Sequence, residues 1–487
     1  MAAKKKRRSS DVLQSVVKVL TVSDEPDYEQ PWQTRGPQNS SGSGAIVRTR
    51  NGLRVLTNAH VVENHVFVEV QRQGASEKFV AEVEGVGHEC DLALLKADQA
   101  FFEGATALDY GPLPKLGERV TVMGYPIGGD RLSVTEGVVS RIEVSAYAQT
   151  ERPLLAIQLD AAINSGNSGG PVFNGDRLIG IAFQSLDEGE NISYAIAGPI
   201  VEHFLRDVDD GTFHGFPDLG VTWQPLESPS QRAYLGLPAK SRGVLLTGVG
   251  FESSAWQKLK PGDVLLEIDG VSVDCDGTVP LRRGEPVDFS YTITNHQVGE
   301  TVPLTVWRAG KKLKVAVQLE RPRRLVPEDR YDVRPTYFIY GGLVFVPLTR
   351  DYLKSWGDEW WSDAPHPLMA LHESGIRSKD RIEVVLISKI LADRTNQGYS
   401  DLANAVVARI DGKNVRQMSD LIALLEYPPS NSKSKFARIE LEDGRQVVLE
   451  RALARERHKA ILGKYRVPAD RSDDLKLVPR TRTKRAD

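Results

Sequence analysis

Cysteine is scarce in this chain: Cys90 and Cys275 are the only two in 487 positions. That excludes a disulfide framework and suits a reducing compartment. No stretch approaches the ~18 uninterrupted apolar residues of a membrane-crossing helix. The N-terminus lacks the apolar core of a secretory signal. Acids appear by Asp11, with "SDEPDYE" soon after, where a transit peptide would be acid-free. Charge of one sign is missing too: the formal net charge is −3, so nothing global points to nucleic acid. No His/Cys/Asp cluster has ligand spacing, so no metal and no other cofactor is expected.

What is present is a globular composition, 40 % hydrophobic, in a chain of 487 residues, long enough for about three domains of ~150 residues each. Basic runs stand at both ends, "KKKRR" (Lys4 to Arg8) and "RTRTKR" (Arg480 to Arg485). Residues 1–40 read as a basic tail followed by a short helix over Ser10–Leu20, with an N-cap-like serine and apolar residues at helical spacing. "SDEPDYEQPWQTRGPQNSSGSG" reads as an irregular connector. Over 41–210 the chain consists of short β-rich runs divided by Gly turns, the pattern of an all-β sandwich or a pair of barrels. "GPIVEHFLRDV" closes that block as a helix. Beyond it the composition turns α+β and repeats itself: "VLLEIDGVSV" (Val264 to Val273) resembles "VVARIDGKNV" (Val406 to Val415), each followed by a hairpin with a Gly turn. Two diverged copies of one small domain, 216–321 and 334–453, explain this better than one large fold. "RPRRLVPEDRYDVRP" links them, and 454–487 reads as a charged, fraying tail.

The most informative stretch is "NSGNSGGP" (Asn164 to Pro171). Five of its eight residues are Gly or Ser, yet apolar strand-like runs flank it. A serine hydroxyl is a poor nucleophile unless a base takes its proton and donors stabilise the oxyanion. The backbone around such a serine must turn sharply and aim N–H groups inward, which glycine permits. The segment is therefore predicted to be a rigid turn in which Ser168 attacks and the N–H groups of Gly166 and Ser168 receive the oxyanion. A base is available in "LTNAHVVE", where His60 ends a β-branched run. A carboxylate is available in "HECDLALLKA", where Asp91 precedes a buried strand. His65, His88 and Cys90 stand nearby and read as structural, Cys90 as a small buried filler.

"TNAHVV", "DLALL" and "GNSGGP", in that order and followed by a repeat with "LKPGDVLLEIDG", resemble the HtrA/Deg family of trypsin-like serine proteases over roughly residues 40–450. The resemblance implies a mainly β, chymotrypsin-like protease domain of two six-stranded β-barrels, followed by two α+β PDZ-like domains. It implies that His60 is the general base, Asp91 the carboxylate that orients it and Ser168 the nucleophile, with Gly166 and Asn167 completing the oxyanion turn. Ile163 resembles a residue of the primary specificity pocket, which would favour small or medium apolar side chains. Asn167 replaces the Asp of digestive relatives, so activation should not need zymogen processing. "RTRNGLR" is short where the best-known bacterial relative carries a long inhibitory loop. Regulation is therefore expected in "PIGGDRLSVTEG" and "QSLDEGENIS".

In the first PDZ-like copy, Leu219, Gly220 and Val221 fit the loop that cradles a peptide carboxylate, so peptide C-termini join protein substrates as expected partners. The second copy has lost the usual Gly-Asp and gained "YLKSWGDEWW", bulk expected to occlude the groove or to serve an oligomer contact. The family implies homo-oligomers built from trimers, with Tyr28 and Trp32 as part of the contact. The resemblance to the non-plastid two-PDZ Deg proteases of plants and algae, with the "KKKRR" run, points to the nucleus or nucleolus, with the cytoplasm as alternative. Nucleic acid is not required and no membrane is involved. The expected function is ATP-independent endoproteolysis of unfolded or regulatory proteins. The rival is a chaperone or scaffold with a dormant protease domain.

Overall fold

The structure, a computed structural model, describes residues 12–126, 129, 131–147, 149–185, 192–428 and 434–476. Both basic runs and parts of the two loops expected to regulate lie outside them. The described chain forms two compact units. One holds residues up to Ser23 and Pro37–Pro322, the other holds Asp24–Gly36 and the residues from Arg323 onward.

The first unit opens with two closed antiparallel barrels. Strands β1 (Val16–Ser23), β2 (Gln38–Thr49), β3 (Gly52–Thr57), β4 (His65–Arg72), β5 (Lys78–Gly87) and β6 (Leu92–Ala97) close in the order β1-β2-β3-β6-β5-β4. Strands β7 (Arg119–Gly124), β8 (Ser133–Ala146), β9 (Pro153–Leu159), β10 (Pro171–Asn174), β11 (Arg177–Ser185) and β12 (Ser193–Ala197) close in the order β10-β11-β12-β9-β8-β7. Closure removes every sheet edge, and alternate side chains fill the interior. In the first barrel Val17, Val19, Ile46, Val55, Val70 and Leu95 do so, all fully buried.

Two stretches expected to be something else are barrel strands. From Val16 onward the helix predicted over Ser10–Leu20 is replaced by β1, because Val16, Val17 and Val19 are β-branched and their burial inside the barrel outweighs the helical spacing; Ser10 and Asp11 lie outside the described residues. The end of the predicted connector, including "NSSGSG", is the first half of β2, paired with β1 from Val16↔Ala45 to Ser23↔Gln38. The protease fold therefore starts at β1, well before residue 41. The helix expected at the end of the block is present as Gly198–Asp207.

Both copies of the repeat are recognisable. Strands Val264–Ile268 and Ala405–Ile410 each run into an Asp-Gly turn with both residues at positive φ, Asp269 (49°) and Gly270 (78°) in one, Asp411 (51°) and Gly412 (78°) in the other. This is the primed hairpin turn that matches strand twist. The first copy is a sheet in the order Val221–Gln224, Val244–Val249, Val264–Ile268, Thr301–Arg308, Lys311–Gln318. The second repeats that order and adds one strand, Phe338–Tyr340, on the outer edge of Leu343–Pro347.

In the second unit the described part of the charged tail expected over 454–487, up to residue 476, opens as a helix, Arg451–Lys464, with Ile461 buried in the core and Leu475 buried beyond it. Tyr28 and Trp32, expected as part of a subunit contact, lie half-buried against the core of this unit, Trp32 edge-on to Tyr337 at 5.8 Å. The aromatic insertion forms short helices over the same core, with Tyr352 buried and edge-on to Trp356 at 5.4 Å. At the start of the first of them Arg350, 1 % exposed, grips Asp329 through two bonds of 3.0 and 2.9 Å.

Candidate active site

Strand pairing brings the base and the carboxylate together. β3 lies beside β6 with Thr57 opposite Ala93, so the residues just after β3 meet those just before β6. Asp91 ends a single helical turn, His88–Cys90, with φ +52°, a backbone state that Asp and Asn tolerate better than most residues. Asn58 Nδ2 donates to the Asp91 carbonyl at 2.8 Å. The Asp91 carboxylate, 1 % exposed, accepts the His60 backbone N–H on Oδ1 at 2.9 Å and faces His60 Nδ1 with Oδ2 at 2.7 Å. That network places the imidazole proton on Nδ1 and leaves Nε2 as the basic nitrogen. Burial opposes a charged imidazole. The Asp91 carboxylate, by its charge and its hydrogen bond, and Glu63 more weakly, together outweigh burial and hold the His60 pKa above its ordinary value.

Ser168 stands in the turn between β9 and β10. Gly166 (φ +95°) and Gly169 (φ +83°) let the backbone reverse there. Asn167 N–H donates to the Asn164 carbonyl, Gly170 N–H to the Asn167 carbonyl and Gly169 N–H to the Ala182 carbonyl, each at 2.9 Å. Gly169 also permits a close approach: a Cβ there would fall 2.1 Å from the Ser43 carbonyl oxygen and 2.4 Å from Thr57 Oγ1. The turn is thereby seated against Thr57 and Asn58, which lead directly to His60.

Among the described residues, the N–H groups of Gly166 and Ser168 have no acceptor. Two such N–H groups on one turn are free to donate to an oxyanion. Asn167 shapes the turn without being a free donor, since its N–H is engaged with Asn164. No hydrogen bond joins Ser168 Oγ to His60 Nε2, a contact that tightens in many hydrolases only when substrate binds.

Ile163, five residues before Ser168, is 5 % exposed, and its N–H donates to Ser193 Oγ at 3.3 Å. No residue from Ala161 to Ser165 carries a charge. His65 and Cys90 are structural, as expected: His65 Nδ1 meets the Val62 carbonyl at 2.8 Å, and the fully buried Cys90 thiol is pushed well above its ordinary pKa by desolvation.

The two PDZ-like copies differ at the strand that would take a peptide. In the first, Leu219 is buried, Gly220 has φ +67° and Val221 begins an edge strand. A cleft of ≈ 330 Å³ lies beside it, lined by Leu219, Val221, Trp223, Phe289 and Ile293, with Arg152 of the second barrel at its rim. In the second copy the matching strand, Leu343–Pro347, is paired on both sides, by Phe338–Tyr340 and by Val385–Ile390. That edge is closed by the chain's own backbone rather than by the aromatic insertion.

Sequence reasoning missed two residues of this site, Asn58 and Ser43. A signal for Ser43 existed. "SSGSG" has the same linker-like composition as the Ser168 turn, and the two segments pack on each other.

Residues 42–181 match the family model of the trypsin-like peptidase domain, and residues 326–474 match that of the PDZ domain. The chain is 40 % identical over 476 residues to "Protease Do-like 2, chloroplastic" of Arabidopsis thaliana, covering 96 % of this chain and 76 % of that one. It is 37 % identical over 457 residues to "Protease Do-like 4, mitochondrial" of the same plant, with 93 % and 84 % covered. Among solved structures it resembles "HtrA-type protease AlgW with tripeptide", with 25 % identity and a TM-score of 0.50 over 64 % of this chain and 96 % of that one.

Proposed function

The chain belongs to the Do-like serine proteases of the Deg/HtrA family and is a serine-type endopeptidase, and on that premise we propose that it cleaves unfolded or regulatory proteins, without ATP, through His60, Asp91 and Ser168. The observation that carries this reading is the buried Asp91 carboxylate on His60 Nδ1 at 2.7 Å, beside a turn with two unused N–H groups. His60 Nε2 takes the Ser168 proton, and the alkoxide attacks the peptide carbonyl. Gly166 and Ser168 N–H groups hold the oxyanion, and the imidazolium returns its proton to the leaving amine. Water then releases the acyl group by the same route. Ile163 and its uncharged neighbours favour small or medium apolar residues at the cleaved position.

A fluorophosphonate probe tests the reading: wild type should be captured stoichiometrically, and Ser168→Ala not at all. The rival reading is a dormant, chaperone-like protein. Absent labelling together with suppressed aggregation of an unfolded client would establish that alternative.

Activity should also report on His60. Only the neutral imidazole accepts a proton, and Asp91 favours the charged form. kcat/KM should therefore fall as pH drops, with a midpoint above the ordinary imidazole value of about 6.5. A pH-rate profile with its acid midpoint below that value would contradict the assigned pair.

The first PDZ-like copy, with its open edge strand, is the one we assign to peptide C-termini. A fluorescent peptide with a free C-terminus should bind, and its amidated form should not. We assign the assembly to homo-oligomers, which light scattering can measure. The "KKKRR" run is assigned to nuclear import. Residues 1–12 fused to a fluorescent reporter should concentrate it in the nucleus, and diffuse signal throughout the cell would remove that reading.

A further inference from the structure

We propose that Ser43 is the positioning residue of the oxyanion hole, an inference that rests on the protease reading above. Ser43 lies on β2 of the first barrel and is fully buried. Each of its polar groups has a partner, and most of them reach across to the second barrel. Its hydroxyl donates to the Gly166 carbonyl at 2.7 Å and accepts the Tyr125 N–H at 2.7 Å. Its N–H donates to the Ser168 carbonyl at 2.9 Å. Its carbonyl accepts the Thr57 hydroxyl at 2.6 Å.

The consequence lies in the peptide planes of the turn. The Ser168 carbonyl is held by Ser43 N–H and the Asn167 carbonyl by Gly170 N–H. The Gly166 carbonyl is held by the Ser43 hydroxyl. The plane that carries the Ser168 N–H is held through the Asn167 carbonyl, and Ser43 holds the planes on either side of it, Gly166–Asn167 through the Gly166 carbonyl and Ser168–Gly169 through the Ser168 carbonyl, so the direction of the Ser168 N–H is fixed. Gly166 has φ +95° and no side chain, so its peptide units rotate at little intrinsic cost. Among the described residues, the Ser43 hydroxyl is the one side-chain group bonded to its carbonyl. A Cβ on Gly42 would fall 2.7 Å from Val61, and one on Gly44 2.6 Å from Val55. The sequence Gly-Ser-Gly thus lets β2 come close enough for that hydroxyl to reach.

Preorganised donors act on the transition state and hardly on bound substrate. Ser43→Ala should therefore lower kcat by about 10–100-fold and leave KM within about threefold, a fraction of the ~10²–10³ attributed to losing an oxyanion donor outright. The affinity of a peptide boronate, which forms a tetrahedral adduct on the nucleophile, should fall by the same factor as kcat. The acid midpoint of the pH-rate profile should not move, because His60 and Asp91 are untouched. Ser43→Thr, which keeps the hydroxyl, should recover most of the loss.

Ser15→Ala supplies the comparison. It makes the same chemical change in the same barrel, where a buried Ser15 hydroxyl donates to the Thr106 carbonyl. It should lower the melting temperature comparably and leave kcat intact. The proposal is overturned if Ser43→Ala keeps kcat within twofold of wild type, if its loss is matched by Ser15→Ala, or if the loss lies wholly in KM. If Ser43→Ala does not fold, Ser43→Cys decides on the same readings: a weaker donor of similar size should give a kcat between those of wild type and Ser168→Ala. A wild-type protein that neither labels nor cleaves would instead sink the protease reading itself.

Discussion

Ser168→Ala should lower kcat for an unfolded substrate such as reduced casein by at least about 10⁴-fold while substrate still binds. The expected size follows from what remains. Without the hydroxyl no acyl-enzyme forms, and His60 Nε2 has no proton to accept. What survives is positioning and the two N–H donors at Gly166 and Ser168. The fold should be unaffected, because the turn is held through backbone atoms: the Ser168 carbonyl to Ser43 N–H and the Gly169 N–H to the Ala182 carbonyl, both at 2.9 Å. Initial rates on a quenched fluorescent substrate, with the melting temperature as control, check this. Residual kcat within 100-fold of wild type would mean that another nucleophile does the work.

Asp91→Asn should be nearly as damaging, on the order of 10⁴-fold in kcat, and for a different reason. The carboxylate accepts two N–H groups, the His60 backbone and His60 Nδ1. An amide can turn its oxygen to only one of them. When its NH₂ faces the imidazole, the ring must present Nδ1 as acceptor and carry its proton on Nε2. That is the wrong tautomer for taking a proton from Ser168, and no buried negative charge remains to stabilise the imidazolium. The substitution should fold, since Asn tolerates the φ of +52° that Asp91 adopts. A loss smaller than tenfold would show that Asp91 orients nothing that matters to the rate.

Much of this architecture was legible in the amino-acid order. Three motifs, each short and local, singled out His60, Asp91 and Ser168 as candidates, and the structure sets the first two against each other. The repeated Ile-Asp-Gly located both PDZ-like copies, because its turn depends on two residues whose backbone preferences are intrinsic. The misreadings have a common physical cause. Ser10–Leu20 has helical spacing on paper, but Val17 and Val19 are worth more inside a closed barrel. "NSSGSG" looks like a linker because glycine and serine bury little area themselves. Their small size is what lets β2 approach Val55, Val61 and the Ser168 turn. The charged stretch after 454 looked soluble throughout, yet Ile461 and Leu475 have a core to enter, and Arg457 pairs with Asp393 at 2.8 Å.

The sequence by itself determined the candidates: a hydroxyl at Ser168, an imidazole at His60 and a carboxylate at Asp91, with glycines around the first. Residue type and local turn preference decide those things, and both are properties of a few neighbouring positions. Only the tertiary structure decided that the Asn167 N–H is engaged with Asn164, that Ser43 pins the turn, and that one PDZ-like edge is open while the other is closed by Phe338–Tyr340. Each of these depends on hydrogen-bond partners far apart in the chain, as Ser43 and Gly166 are. No local pattern specifies which distant group will satisfy a given carbonyl once the barrels have closed.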